Sequence, residues 1–80
     1  MSAAFVRLNG LLTADANIKN TCTVSFRGKK IKLKAVLSRM VWPIPEEAVA
    51  FLAINGLKAG EDSFVTNGDI IDVFPVVSGG

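Results

Sequence analysis

From Ile70 the chain runs Ile70-Ile71-Asp72-Val73-Phe74-Pro75-Val76-Val77 and then Ser78-Gly79-Gly80. The apolar run reads as a final strand, fed by the turn residues Asn67-Gly68-Asp69. A last strand of this kind must be housed in a sheet, and beyond it stand two residues without side chains. Such an ending can thread a slot too narrow for any other residue, and glycine accepts backbone angles closed to the rest. It carries its own terminal carboxylate, at most ~3.3–3.6 Å per residue beyond the strand. The expectation is that the chemistry sits on Gly80, with Ser78 and Gly79 threading a partner's site; a frayed terminus is the bland alternative.

The remaining segments supply the sheet. Ala4-Phe5-Val6-Arg7-Leu8 is a short strand ending at Asn9-Gly10, and residues 11–20 read as a connecting loop. Thr21-Cys22-Thr23-Val24-Ser25-Phe26 alternates apolar and polar residues, the mark of a half-buried strand. Arg27-Gly28-Lys29-Lys30 turns the chain. Lys30 to Lys34 then alternates like a strand, whereas Leu33, Val36, Leu37 and Met40 fall at helical spacing. The spacing predicts a helix over 33–41, ended before Trp42-Pro43 because a residue preceding proline avoids helical angles. Residues 44–47 are a turn, and 48–54 a buried strand. Asn55-Gly56 is a tight-turn signal and Leu57-Lys58-Ala59 a short return strand.

Eighty residues make one domain, near the lower size limit for a core without staples. The expected division is a single domain over 1–77 and a tail over 78–80. The first two strands pair antiparallel, the last lies parallel beside the first, and the helix covers one face. That is an α+β chain of the β-grasp type, a mixed sheet covered on one face by one main helix. One cysteine cannot form an internal disulfide, which points to a reducing, cytoplasmic setting. The start of the chain lacks the basic and apolar runs of a signal peptide, and no apolar run is long enough for a bilayer.

Charge is uneven. Six of the nine basic residues (Arg27, Lys29, Lys30, Lys32, Lys34, Arg39) share one stretch, and six of the seven acids come after it. No aromatic ring is interleaved with the lysines, so nucleic-acid stacking has no platform. We read the stretch as a solvated face able to meet a protein.

The residues Asn55-Gly56, Asn67-Gly68-Asp69 and Phe74-Pro75-Val76-Val77-Ser78-Gly79-Gly80 together resemble the MoaD/ThiS group of ubiquitin-like sulfur carriers. The Phe74-Pro75 step resembles the molybdopterin branch more than the thiazole branch, although that branch commonly has a second proline where this chain has Val76. The resemblance implies a chain that is not an enzyme by itself. Its Gly80 carboxylate would be adenylated by a MoeB/ThiF-like activating enzyme, which supplies the ATP and Mg site. Conversion to a thiocarboxylate would come next, for a MoaE-like synthase subunit or a thiazole synthase. Sulfur carriage for thiazole or cysteine synthesis, and conjugation through Gly80 as a ubiquitin-like tag, stay open. Neither a membrane nor a nucleic acid is an expected partner.

Other residues invite chemistry less. Phe74, Pro75, Val76 and Val77 can finish the core or dock a partner; alternation along a strand sends one or two of them outside. Cys22 has no histidine anywhere in the chain to activate it and reads as structural. Trp42 reads as a lid over the helix end, and Glu46 and Glu47 as solvent-facing. Asp69 and Asp72 lack the further ligands of a metal site, and turn chemistry accounts for Asp69.

Overall fold

The structure, a computed structural model, describes residues 1–9, 21–40, 47 and 49–76. The expected loop over 11–20, Trp42, Glu46 and the segment Val77-Ser78-Gly79-Gly80 lie outside the described residues. Within them the order is β1 (Ser2–Leu8), β2 (Thr21–Phe26), β3 (Lys30–Lys32), α1 (Leu33–Ser38), β4 (Val49–Ile54), β5 (Leu57–Ala59), β6 (Phe64–Thr66) and β7 (Ile70–Pro75). Five strands form a mixed sheet in the order β2-β1-β7-β4-β5, and β3 pairs with β6 apart from it. β1 pairs antiparallel with β2 and parallel with β7, as the sequence predicts. The described residues form a small α+β fold with one short helix. Among them no helix is long and apolar enough to cross a membrane.

One face of the sheet builds the core. Ala4, Val6 and Leu8 of β1, Val24 and Phe26 of β2, Leu52 of β4 and Ile71 and Val73 of β7 cluster with Leu33, Val36 and Met40. The last three, together with the half-buried Leu37, are the residues the helical spacing picks out. The helix stops at Ser38, before the predicted end at 41. Arg39 has left helical geometry, and the N–H groups of Arg39 and Met40 close on the carbonyls of Val36 and Leu37.

The helix lacks a capping side chain because the fold caps it with backbone. Lys32 precedes it in an extended conformation with no side-chain bond. The N–H of Leu33 donates to the Ser63 carbonyl at 2.8 Å and that of Lys34 to Glu61 at 3.0 Å. Two of the four N–H groups left over at a helix start are thereby satisfied. The same segment leads into β6, a strand that local periodicity does not announce. Its partner β3 occupies residues expected partly as a turn and partly as an ambiguous stretch; Ile31 pairs with Val65, which is fully buried.

β4 resolves the apolar run at 48–54. Its register against β7 shifts between Val49 and Phe51. A bulge places an extra residue in one strand and re-aims the residues after it. Val49 therefore packs against the core while Phe51 stands on the opposite face. The turn after it is a two-residue hairpin: Ile54 pairs with Leu57, and Asn55 and Gly56 have φ of 51° and 84°. Positive φ at both central positions is what the tightly twisted hairpin turn demands, and asparagine with glycine tolerates it best.

Candidate functional site

Among the described residues, the sheet's second face carries no helix. Cross-strand register places Phe5 and Arg7 of β1, Ile70, Asp72 and Phe74 of β7, Phe51 and Ala53 of β4 and Lys58 of β5 on it. Phe5, Phe51 and Ile70 are 45%, 42% and 37% exposed, unusual for such large apolar groups on one face. Phe51 and Phe74 stack across β4 and β7 with ring centroids 4.4 Å apart and planes 17° from parallel. The Lys58 ammonium lies 5.9 Å from the Phe51 centroid.

A polar clamp divides this face. Arg7 Nε donates to Asp72 Oδ1 and Arg7 Nη2 to Asp72 Oδ2, both at 2.8 Å, and Asn9 Nδ2 adds a longer bond to Oδ1 at 3.3 Å. Asp72 is the single buried charged residue among those described. A carboxylate in an apolar strand costs free energy unless it is paired. Here the two-pronged guanidinium supplies the partner. Hydrogen bonding from Arg7 outweighs burial and, with Asn9 and the guanidinium charge, holds the Asp72 carboxyl below its ordinary range. The same bond raises Arg7 above its own. Phe5 and Ile70, register partners, lie to one side of the clamp; Phe51 and Phe74 lie to the other, toward the end of β7.

The predicted docking residues divide accordingly. Phe74 is half-buried in the stack on the open face, and Val76, just past the strand, is 48% exposed. The strand ends at Pro75, whose backbone pairs with Val49, so the last strand is shorter than the apolar run. Val77, Ser78, Gly79 and Gly80 lie outside the described residues, and no geometry attaches to them.

The remaining candidates have structural duties. Asp69 is held by its turn. Burial opposes ionisation there, but Oδ2 accepts the Thr66 N–H at 2.8 Å and the Thr66 hydroxyl at 3.2 Å, and Oδ1 accepts Asn55 Nδ2 at 3.0 Å. Together these bonds prevail and lower its pKa. Asn55 completes a clasp: its Oδ1 accepts the Ile70 N–H at 3.0 Å, and its own N–H reaches the Ile70 carbonyl at 2.7 Å. Cys22 is half-buried against the core with Sγ 3.8 Å from the Thr23 carbonyl. Glu47 is exposed. Among the described residues no cluster of His, Cys, Asp and Glu side chains suited to a metal forms.

Sequence reasoning missed Phe51, Arg7 and Asn9 as members of this face. A usable signal was present in Asp72, an acid amid Ile70-Ile71 and Val73-Phe74, which demands a partner wherever the strand is placed. Comparison with family models, with curated proteins and with solved structures finds no match to this chain.

Proposed function

We propose that the protein is a β-grasp sulfur carrier whose Gly80 carboxylate is activated and turned into a thiocarboxylate, serving molybdopterin-type cofactor synthesis. One observation carries the reading. β7 lies between β1 and β4 and ends beside an uncovered aromatic pair, Phe51 and Phe74, and from that end the sequence continues through Val76 and Val77 to Ser78-Gly79-Gly80. An apolar surface suited to docking thus stands at the end of the strand from which that segment continues in sequence.

The chemistry asks little of the carrier. A carboxylate is a poor electrophile because its charge is shared by two oxygens. Attack of a Gly80 oxygen on the α-phosphorus of ATP would form the acyl adenylate and release pyrophosphate. Hydrosulfide from the sulfur donor would then attack the acyl carbon and expel AMP, losing its proton to leave the thiocarboxylate. The activating partner would provide the nucleotide and metal sites, while Phe51, Phe74, Pro75, Val76 and Val77 would hold the carrier in place. A rigid last strand fixes where the tail begins, so the reacting carbon is positioned by the body's docking.

Intact-mass measurement tests it. After incubation with a MoeB-like activating enzyme, ATP and a sulfur donor, the chain should exchange one oxygen for one sulfur, and a chain lacking Gly80 should not. An unchanged mass for the native chain, or equal exchange in the shortened one, rules the reading out.

A further inference from the structure

Five of the six basic residues of the stretch fall into two groups in the fold, with Lys29 in neither. Lys32 and Lys34 approach Asp62 Oδ1 at 3.8 and 3.6 Å, and Lys30 lies over the Phe64 ring at 4.3 Å. Arg27 and Arg39 form no ion pair among the described residues. These two, twelve positions apart in sequence, converge on one open cleft of about 450 Å³, lined also by Met1, Ser25, Phe26 and Ile31. Among the described residues no acidic side chain lines it.

Its composition specifies a kind of ligand. Each guanidinium offers about five N–H donors in a planar fork and accepts nothing. That geometry fits carboxylate or phosphate oxygens, and guanidinium sheds its hydration more readily than ammonium does. The half-buried Ile31 and the exposed Met1 bring apolar groups to the same cleft, above the buried Phe26. Its size falls in the ordinary range of about 300–1,000 Å³ for small-molecule sites.

Its position separates it from the docking face. Met1 precedes β1 and Arg27 comes directly after the antiparallel β2, so both mark the end of the sheet where β1 begins. β7 runs parallel to β1, with Leu8 level with Val73, and leaves at the other end. At ~3.3 Å per residue the two ends are about 30 Å apart. A ligand here leaves the end of β7 uncovered.

We propose that the Arg27–Arg39 cleft binds a small organic anion, a carboxylate or phosphate head on an apolar body. The site does not depend on the sulfur-carrier reading and stands or falls separately.

The test is a titration of the full chain monitored by backbone amide NMR, with phenyl phosphate, phenylacetate and inorganic phosphate as probes. Saturable shifts should concentrate at Ser25, Arg27, Ile31 and Arg39. Phenyl phosphate should bind about tenfold more tightly than inorganic phosphate, since the latter lacks the apolar part. Whichever phenyl ligand binds more tightly names the head group. Arg27→Gln with Arg39→Gln should weaken binding by about tenfold or more, through loss of charge-assisted hydrogen bonds. Arg27→Lys with Arg39→Lys keeps the charge, removes the forks and should also weaken it. Lys32→Gln with Lys34→Gln should change it less than about twofold. Shifts that never saturate, full affinity in the glutamine pair, or equal losses from the arginine and lysine pairs would overturn the proposal.

Discussion

Arg7 and Asp72 face each other across the parallel β1–β7 pair, and the guanidinium engages both carboxylate oxygens at 2.8 Å. The pair joins two strands that are 65 residues apart in sequence, on the face opposite the core. It also sets how the protein responds to acid. The folded-state pKa of Asp72 lies below its unfolded value, so the unfolded chain binds more protons as pH falls. The stabilisation is complete above about pH 4 and is lost as pH drops through the depressed folded value. Asp69 adds to the same trend, since its pKa is lowered too.

Asp72→Asn should therefore cost about 1–2 kcal/mol at neutral pH, toward the low end because Arg7 is half exposed. The gap in melting temperature between the two proteins should narrow below about pH 4. Thermal unfolding from pH 7 to pH 2 checks this. A gap that stays constant down to pH 2 would show that the loss does not come from the ionised pair.

Asn55 combines two duties that substitution can separate. Asn55→Gly keeps the positive φ and the backbone bond to Ile70, and loses only the side-chain bonds to Asp69 and Ile70. Asn55→Ala loses the same side-chain bonds and strains the turn as well. We expect the alanine variant to be less stable by about 1–3 kcal/mol and the glycine variant by roughly half as much. Urea unfolding measures both, and equal losses would assign the whole effect to the side-chain bonds.

Phe51→Ser tests the open face. The ring is 42% exposed, so the loss in stability should stay near the 0.5–1.5 kcal/mol of an aromatic pair plus a part of its buried area, roughly 2 kcal/mol in all. If the protein is the proposed sulfur carrier, loading by the activating enzyme should fall about tenfold or more, since central aromatic groups dominate docking energies. Native loading rates in the variant would move the docking surface elsewhere.

Gly79→Ala tests the tail. The substitution lies beyond the last strand and should leave the melting temperature within the effect of a surface change, about 0.5 kcal/mol. On the proposed sulfur-carrier reading, one added methyl in a close-fitting partner channel would displace the reacting carboxylate. A shift of about 1 Å can cost on the order of a hundredfold in rate. Adenylation measured by pyrophosphate release should drop accordingly, and an unaltered rate would count against threading.

Local periodicity was enough to read much of the fold. Alternation in Thr21-Cys22-Thr23-Val24-Ser25-Phe26 marks β2, and the spacing of Leu33, Val36, Leu37 and Met40 marks the helix face that enters the core. Asn55-Gly56 marks the hairpin because few other residue pairs accept its backbone angles. These signals survive in the sequence because each depends on neighbours a few positions away. β6 left no such trace: three residues burying only Val65 are too short to show a period. Its existence depends on pairing with β3. The helix start was equally silent, since its cap comes from the carbonyls of Glu61 and Ser63 and needs no particular side chain. In the continuous apolar run at 48–54, both faces have the same composition, and only the bulge against β7 sends Val49 inward and Phe51 outward. The Arg7–Asp72 clamp, the Phe51–Phe74 stack and the Arg27–Arg39 cleft each join residues brought together by register or topology. A sequence states which side chains exist and how the chain prefers to bend; which distant ones meet is decided when the strands are put in order.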